Sequence, residues 1–308
     1  MKLGMSQACY RWINYPGLRR DNLEYRRSGR PLPYLSTVRT PREGEGEVAW
    51  LLEKVSELGL EALYVQARLL VDRSGAEAFK TEMADRSVEH IGGIAFNVAA
   101  DQAEWESGGF ENVSQEIQLL GWSGARIASA VHNEATRHNH FSHDPPVDVQ
   151  IERAIGNFRS LMPLCEKHGV VLAFENHLDY RLSEIVQVIE AVDSPWLRIN
   201  LDTANSISVV EDPMDAARIA AKYTVTAHLK DMRVQPATGT GEPRVYWAPL
   251  GRGDVPIEEI LGLLHSEAPD PSNFAACIEV APPPDQDPDV WMRSSIDWIR
   301  ETCGQYFR

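Results

Sequence analysis

Apolar and polar positions along the chain follow two alternating periods. Short, nearly continuous runs of Val, Ile, Leu and Ala occupy residues 2–8, 62–66, 91–98, 125–131, 170–174, 197–201, 224–228 and 274–280. Such continuity is expected of parallel strands buried on both faces. Between the runs the period becomes that of an amphipathic helix. Val48, Leu51, Leu52, Val55 and Leu58 form one stripe, and Ile151, Ile155, Phe158, Leu161, Met162 and Cys165 another. A third comprises Ile185, Val186, Val188 and Ile189.

Eight strand-then-helix units predict an α/β fold, a single (β/α)8 TIM barrel domain over residues 1–308, since such a barrel needs about 250 residues plus insertions. A doubly wound open sheet is the rival, but its first strand ordinarily runs into a glycine-rich phosphate turn. Here the first strand runs into Cys9-Tyr10-Arg11-Trp12-Ile13. The surplus length falls in long loops after strands 1, 4 and 7, at residues 11–47, 131–147 and 231–255. A barrel places these on its C-terminal rim, where active sites are built. They either shape a pocket or make oligomer contacts.

Composition narrows the class of function. At 43% hydrophobic and 24% charged the chain is an ordinary globular one. Its 45 acidic against 30 basic side chains leave a net charge of −15, which argues against a nucleic-acid binder, because that affinity comes largely from Lys and Arg. No run approaches the ~20 apolar residues of a membrane span, and the N-terminus shows no signal-peptide pattern. Four cysteines without a C-x-x-C pair read as reduced thiols, so the expected compartment is the cytoplasm.

Four strand runs end in a metal-competent side chain: Glu175, Asp202, His228 and Glu279. Each breaks an apolar run at its last position, where a buried charge is costly unless paired or metal-bound. In a barrel the four converge on one axis. Singly, each could be a cap or a solvated loop residue. Together they make a hard, mostly oxygen site for one divalent ion, Mn2+, Mg2+, Co2+ or a catalytic Zn2+.

These residues sit in Phe174-Glu175-Asn176-His177, Leu201-Asp202-Thr203, His228-Leu229-Lys230-Asp231, Pro249-Leu250-Gly251-Arg252-Gly253-Asp254-Val255 and Ile278-Glu279. In them the chain resembles the xylose isomerase-like barrels: sugar and sugar-phosphate isomerases and epimerases, inosose dehydratases and the endonuclease IV group. The resemblance implies that Glu175, Asp202, His228 and Glu279 are the metal ligands, with Mn2+ the foremost ion. Sugar epimerases of this kind often have His three residues after the Asp, where this chain has Asn205. The endonuclease branch uses that same His in a three-metal cluster, so Asn205 and the net charge disfavour DNA repair. Asn205 can still hydrogen-bond a substrate hydroxyl.

Further candidates lie nearby. His132, His138, His140 and His143 crowd the loop after the fourth strand; they are either a solvated polar loop or the source of an acid or base, with His143 and His140 the candidates. His177 follows Glu175 by two residues and reads as a substrate contact. Lys230 could polarise a carbonyl or hold an anion, or simply pair with Asp231. Eight arginines against two acids between Arg11 and Arg42 could clamp an anion or a partner. Thr238-Gly239-Thr240-Gly241 reads as a mobile loop.

The implied function is metal-dependent enolate or enediolate chemistry on a small sugar or keto-sugar, with Glu175 and Glu279 as the proton-transferring pair. Isomerisation, epimerisation and β-elimination all start from that intermediate. The lyase branch includes the large subunit of a C-glycoside deglycosidase, which acts on a 3-oxo-C-glycoside with a small partner subunit. A catalytically silent sugar-binding barrel is the reading from another class. An oligomer is expected, without nucleic acid or membrane.

Overall fold

Eight parallel strands close into a barrel in a computed structural model that describes residues 1–10, 46–237, 241–283 and 285–307. In chain order these strands are β1 (Lys2–Ser6), β2 (Ala62–Gln66), β3 (Glu89–Phe96), β4 (Ile127–His132), β5 (Val171–Glu175), β6 (Leu197–Asp202), β7 (Thr224–Leu229) and, after a two-stranded insertion, β10 (Ala275–Ile278). The barrel is closed by pairing of β1 with both β2 and β10. Each predicted apolar run overlaps one of these strands, with ends differing by one or two residues. The basic cluster of residues 11–42 and the segment 238–240 lie outside the described residues.

Among the described residues, eight helices of at least eight residues alternate with the strands: α1 (Glu47–Leu58), α2 (Arg73–Asp85), α3 (Phe110–Ser123), α4 (Val147–His168), α5 (Leu182–Val192), α6 (Pro213–Ala220), α7 (Ile257–Glu267) and α8 (Pro288–Thr302). The predicted stripes are their inner faces. Leu51, Leu52 and Val55 of α1, Ala154, Phe158 and Leu161 of α4, and Ile185 and Val188 of α5 are all buried. Burying a Leu- or Phe-sized side chain contributes about 1.5–3 kcal/mol, which makes this helix-to-barrel layer the main source of stability.

The segment after β7 departs from expectation. Instead of a loop, it forms an antiparallel hairpin of β8 (Asp231–Gln235) and β9 (Arg244–Ala248), with Met232 opposite Trp247. The cause is a local period of two, Met232 and Val234 facing Val245 and Trp247, which suits a two-stranded ribbon. The chain then returns through the Pro249–Val255 turn, which the Asp231 carboxylate organises. Its Oδ2 accepts from the backbone N–H of Gly251 at 2.9 Å and Gly253 at 2.8 Å, and Oδ1 from Val255 at 3.3 Å. A Cβ on Gly253 would fall 1.9 Å from Asp231 Oδ1, and Gly251 has φ +76°, so both glycines are required by geometry.

Asp231→Ala should therefore leave two or three turn N–H groups without their acceptor, at a cost of about 3 kcal/mol. Urea unfolding of the variant against the parent checks this, and an unchanged midpoint would contradict the assigned role.

Candidate metal centre

Strand register brings the four strand-end candidates to one level. Asp202 on β6 lies opposite His228 on β7, and His228 opposite Cys277 on β10, two residues before Glu279. Glu175 on β5 faces Asn200, the inward residue two before Asp202. One donor atom from each of Glu175, Asp202, His228 and Glu279 lies within 4.8 Å of the others. Glu175, Asp202 and His228 are buried, and Glu279 is the most open, its side chain 13% exposed.

Each side chain is held by named partners. Glu175 Oε2 accepts from the Ser129 hydroxyl at 2.6 Å and Asn200 Nδ2 at 2.9 Å, and lies 3.3 Å from His228 Nδ1. Asp202 Oδ1 accepts from the backbone N–H of Ala204 at 2.9 Å and Asn205 at 3.0 Å. Its Oδ2 is 2.6 Å from Lys230 Nζ. Glu279 Oε1 accepts from Ser6 at 3.2 Å, while Oε2 is 2.9 Å from Lys230 Nζ. The Tyr64 ring stands edge-on to His228, centroids 4.7 Å apart. Gly93 makes room for Tyr64, because a Cβ there would fall 2.3 Å from the phenol oxygen.

The electrostatics follow from crowding three carboxylates. Burial favours a neutral His228, but the Glu175 and Glu279 carboxylates overcome it and push the ring up to about 9. Burial would likewise raise Glu175, yet the charge and hydrogen bond of His228 hold it below the usual carboxylate range. Glu279 is driven low by Lys230 and His228 against its own burial. Asp202 moves up to about 6, because burial outweighs its contact with Lys230. The donor set suits a divalent ion: three carboxylates and one imidazole are a hard, oxygen-rich group, and among the described residues their ion-pair partners are Lys230 and, when protonated, His228.

The centre opens on a cavity of about 480 Å³. His177 and Asn205 line it, each with a buried nitrogen, Nδ1 and Nδ2, lacking a hydrogen-bond partner among the described residues. Burial lowers His177, keeping its ring neutral. Lys230 also lines the cavity, paired with Asp202 and Glu279 and not with Asp231, whose oxygens the turn occupies.

The crowded histidines stand elsewhere. His140 Nδ1 is 2.7 Å from Glu184 Oε1, on the residue that caps α5, and His143 is an exposed residue bridged to Pro146. His132 Nδ1 accepts from the Val98 N–H, and burial pushes that ring down to about 4. None of the four lines the cavity, so neither His140 nor His143 occupies the acid or base position expected of it. His132 Nε2 lies 3.1 Å from the His138 carbonyl and His138 Nδ1 3.0 Å from Asn97 Oδ1. Conversely Ser129, Asn200, Tyr64 and Trp247 belong to the site without having been singled out. Ser129 and Asn200 were legible in principle, as polar residues at inward positions of apolar strands.

Comparison with known proteins agrees with this architecture. The sequence model of the xylose isomerase-like TIM barrel matches residues 52–302. The chain belongs to that family. A curated relative, 3-oxo-isoapionate decarboxylase of Pectobacterium atrosepticum, is 29% identical over 96 residues, 31% of this chain; the chain spans about a third of that relative's length, 34%. Among solved structures, a xylose isomerase-like barrel of Mycobacterium smegmatis in complex with magnesium superposes with TM-score 0.68 at 17% identity, covering 100% of this chain and 98% of the other. D-psicose 3-epimerase of Clostridium cellulolyticum superposes with TM-score 0.66 at 15% identity, over 98% and 99%. At these identities the solved structures establish the shared fold. No helix among the described residues is long and apolar enough to cross a membrane.

An imidazole must lose its proton to ligate a metal. With His228 pushed up to about 9, that proton is bound at neutral pH, and metal binding must release it. Apparent Mn2+ affinity should therefore rise about tenfold per pH unit from about pH 7 towards about pH 8.5. Calorimetric titration at several pH values checks the slope, and a pH-independent affinity would contradict His228 as a ligand.

Proposed function

We propose that the chain is a divalent-metal-dependent enzyme that forms an enolate or enediolate on a small sugar or keto-sugar. The observation that carries this reading is the convergence of Glu175, Asp202, His228 and Glu279 within 4.8 Å, beside a cavity that Glu175, His228 and Glu279 line together with the unpartnered His177 Nδ1 and Asn205 Nδ2. These four residues would hold the ion, Mn2+ foremost. When bound, such an ion supplies Lewis-acid polarisation of a carbonyl and its neighbouring hydroxyl.

The chain's own residues account for the proton transfers. Glu175 Oε2 has three neighbours in Ser129, Asn200 and His228, so Oε1 is the atom left to take a proton from the carbon beside the carbonyl. Glu279, across the two intervening strands β6 and β7, would return a proton from the other side. Asn205 Oδ1 accepts from Lys230, which turns its NH2 towards substrate as a donor. His177 Nδ1 would meet a second hydroxyl. Charged groups this constrained keep their geometry through the reaction.

Three outcomes share the intermediate: isomerisation, epimerisation and loss of a β-substituent. Two observations favour the lyase branch. Asn205 stands where epimerases of this family often carry His, and the curated relative is named as a decarboxylase of a 3-oxo acid, a reaction that also leaves an enolate. Within that branch the large subunit of a C-glycoside deglycosidase remains a specific form, with a small partner subunit or self-association to be found in solution. The four cysteines are buried and unpaired, in keeping with a cytoplasmic location.

A panel of keto-sugars, 3-oxo-glycosides and 3-oxo sugar acids with the Mn2+-loaded protein in D2O tests the reading. The lyase branch predicts release of an aglycone or CO2; C–H exchange without release would identify an isomerase or epimerase. Glu175→Gln should lower the turnover at least about 100-fold, the scale of a general base. Neither exchange nor release across the panel would contradict the enzyme reading.

A further inference from the structure

Lys230 occupies a position that none of the roles above explains. Its side chain is almost fully buried, 4% exposed, beside the candidate ligands. An ammonium has three protons to donate, and three acceptors surround this one: Asp202 Oδ2 at 2.6 Å, Glu279 Oε2 at 2.9 Å and Asn205 Oδ1 at 3.1 Å. Trp247 presents its ring to the same ammonium, 4.7 Å from the centroid. The backbone is fixed as well, since the Lys230 N–H donates to Thr203 Oγ1 at 2.9 Å and the Thr203 hydroxyl donates to the Lys230 carbonyl at 2.7 Å. The charge of Lys230 is therefore already met by two of the candidate ligands, 2.6 and 2.9 Å away.

We propose that Lys230 is a positioning residue, a built-in cation that holds two of the four ligand carboxylates and sets how tightly the centre takes a divalent ion. This rests on the metal-centre reading above. Two effects act in the same direction. A fixed positive charge in a buried site repels an incoming dication far more strongly than it would in water. It also shares Asp202 Oδ2 and Glu279 Oε2, the oxygens that an entering ion would draw on. The gain is in the protein without metal, where three carboxylates would otherwise face one another across the barrel mouth. The centre would then stay assembled while binding its ion reversibly.

Mn2+ binding to metal-stripped protein, read by calorimetry and by the electron paramagnetic resonance of the free ion, separates this role from a merely structural one. Lys230→Met retains chain length and removes the charge; it should bind Mn2+ at least about tenfold more tightly than the parent while melting at a lower temperature in the absence of metal. Lys230→Arg should stay within about threefold of the parent, because the charge is kept. If the methionine variant does not fold, Lys230→Gln, which keeps a donor, carries the same expected tightening. Parent protein that binds Mn2+ alongside a neutral variant that binds it equally or more weakly would overturn this inference alone. Absence of Mn2+ binding by both would overturn the metal centre and the inference with it.

Discussion

Three carboxylates buried at one point of a barrel impose the condition that the rest of the site satisfies. An uncompensated carboxylate in a protein interior costs several kcal/mol, and like charges at this spacing add to that cost. The protein answers with individual partners, not with general polarity. Glu175 receives Ser129, Asn200 and His228; Asp202 receives two backbone N–H groups and Lys230; Glu279 receives Ser6 and Lys230. The imidazolium of His228 and the Lys230 ammonium are the two cations of the set, and both touch more than one carboxylate.

That arrangement depends on the barrel being closed in one register. A shift of one residue between β6 and β7 would turn Asp202 or His228 to the helix side, because strand side chains alternate in direction. The buried helix stripes fix the outside of each strand, and so indirectly the inside. On the rim, the Asp231-bound turn and the β8–β9 hairpin bring Met232 and Trp247 over the cavity. Rim and floor are thus joined through the short stretch from His228 to Met232, which contains the candidate ligand, the positioning cation, the turn organiser and a cavity wall.

Legibility from sequence followed physical conspicuousness. The strands and the helix stripes were readable because burial on both faces of a strand and on one face of a helix gives distinct periods. The placement of Glu175, Asp202, His228 and Glu279 was readable because each interrupts an apolar run at a strand end. Asn200 and Ser129 escaped notice because uncharged polar residues within strands are common and carry no comparable penalty. The histidine-rich loop misled in the opposite direction: titratable residues close in sequence suggested chemistry, but His132 takes the Val98 N–H, His140 pairs with Glu184 on α5, and His143 is exposed and does not line the cavity. The hairpin was hidden by the turn-rich composition between its strands. Which of the acidic neighbours Lys230 would choose depended on tertiary register, and only the structure shows Asp202 and Glu279 in place of Asp231.

Anomalous diffraction at the manganese edge, from crystals of the intact protein equilibrated with Mn2+, bears most directly on the metal centre. The account predicts one strong peak enclosed by the carboxylates of Glu175, Asp202 and Glu279 and the ring of His228. A Mn2+ peak elsewhere with this cluster still closed around Lys230, or no peak at all at saturating Mn2+, would contradict it.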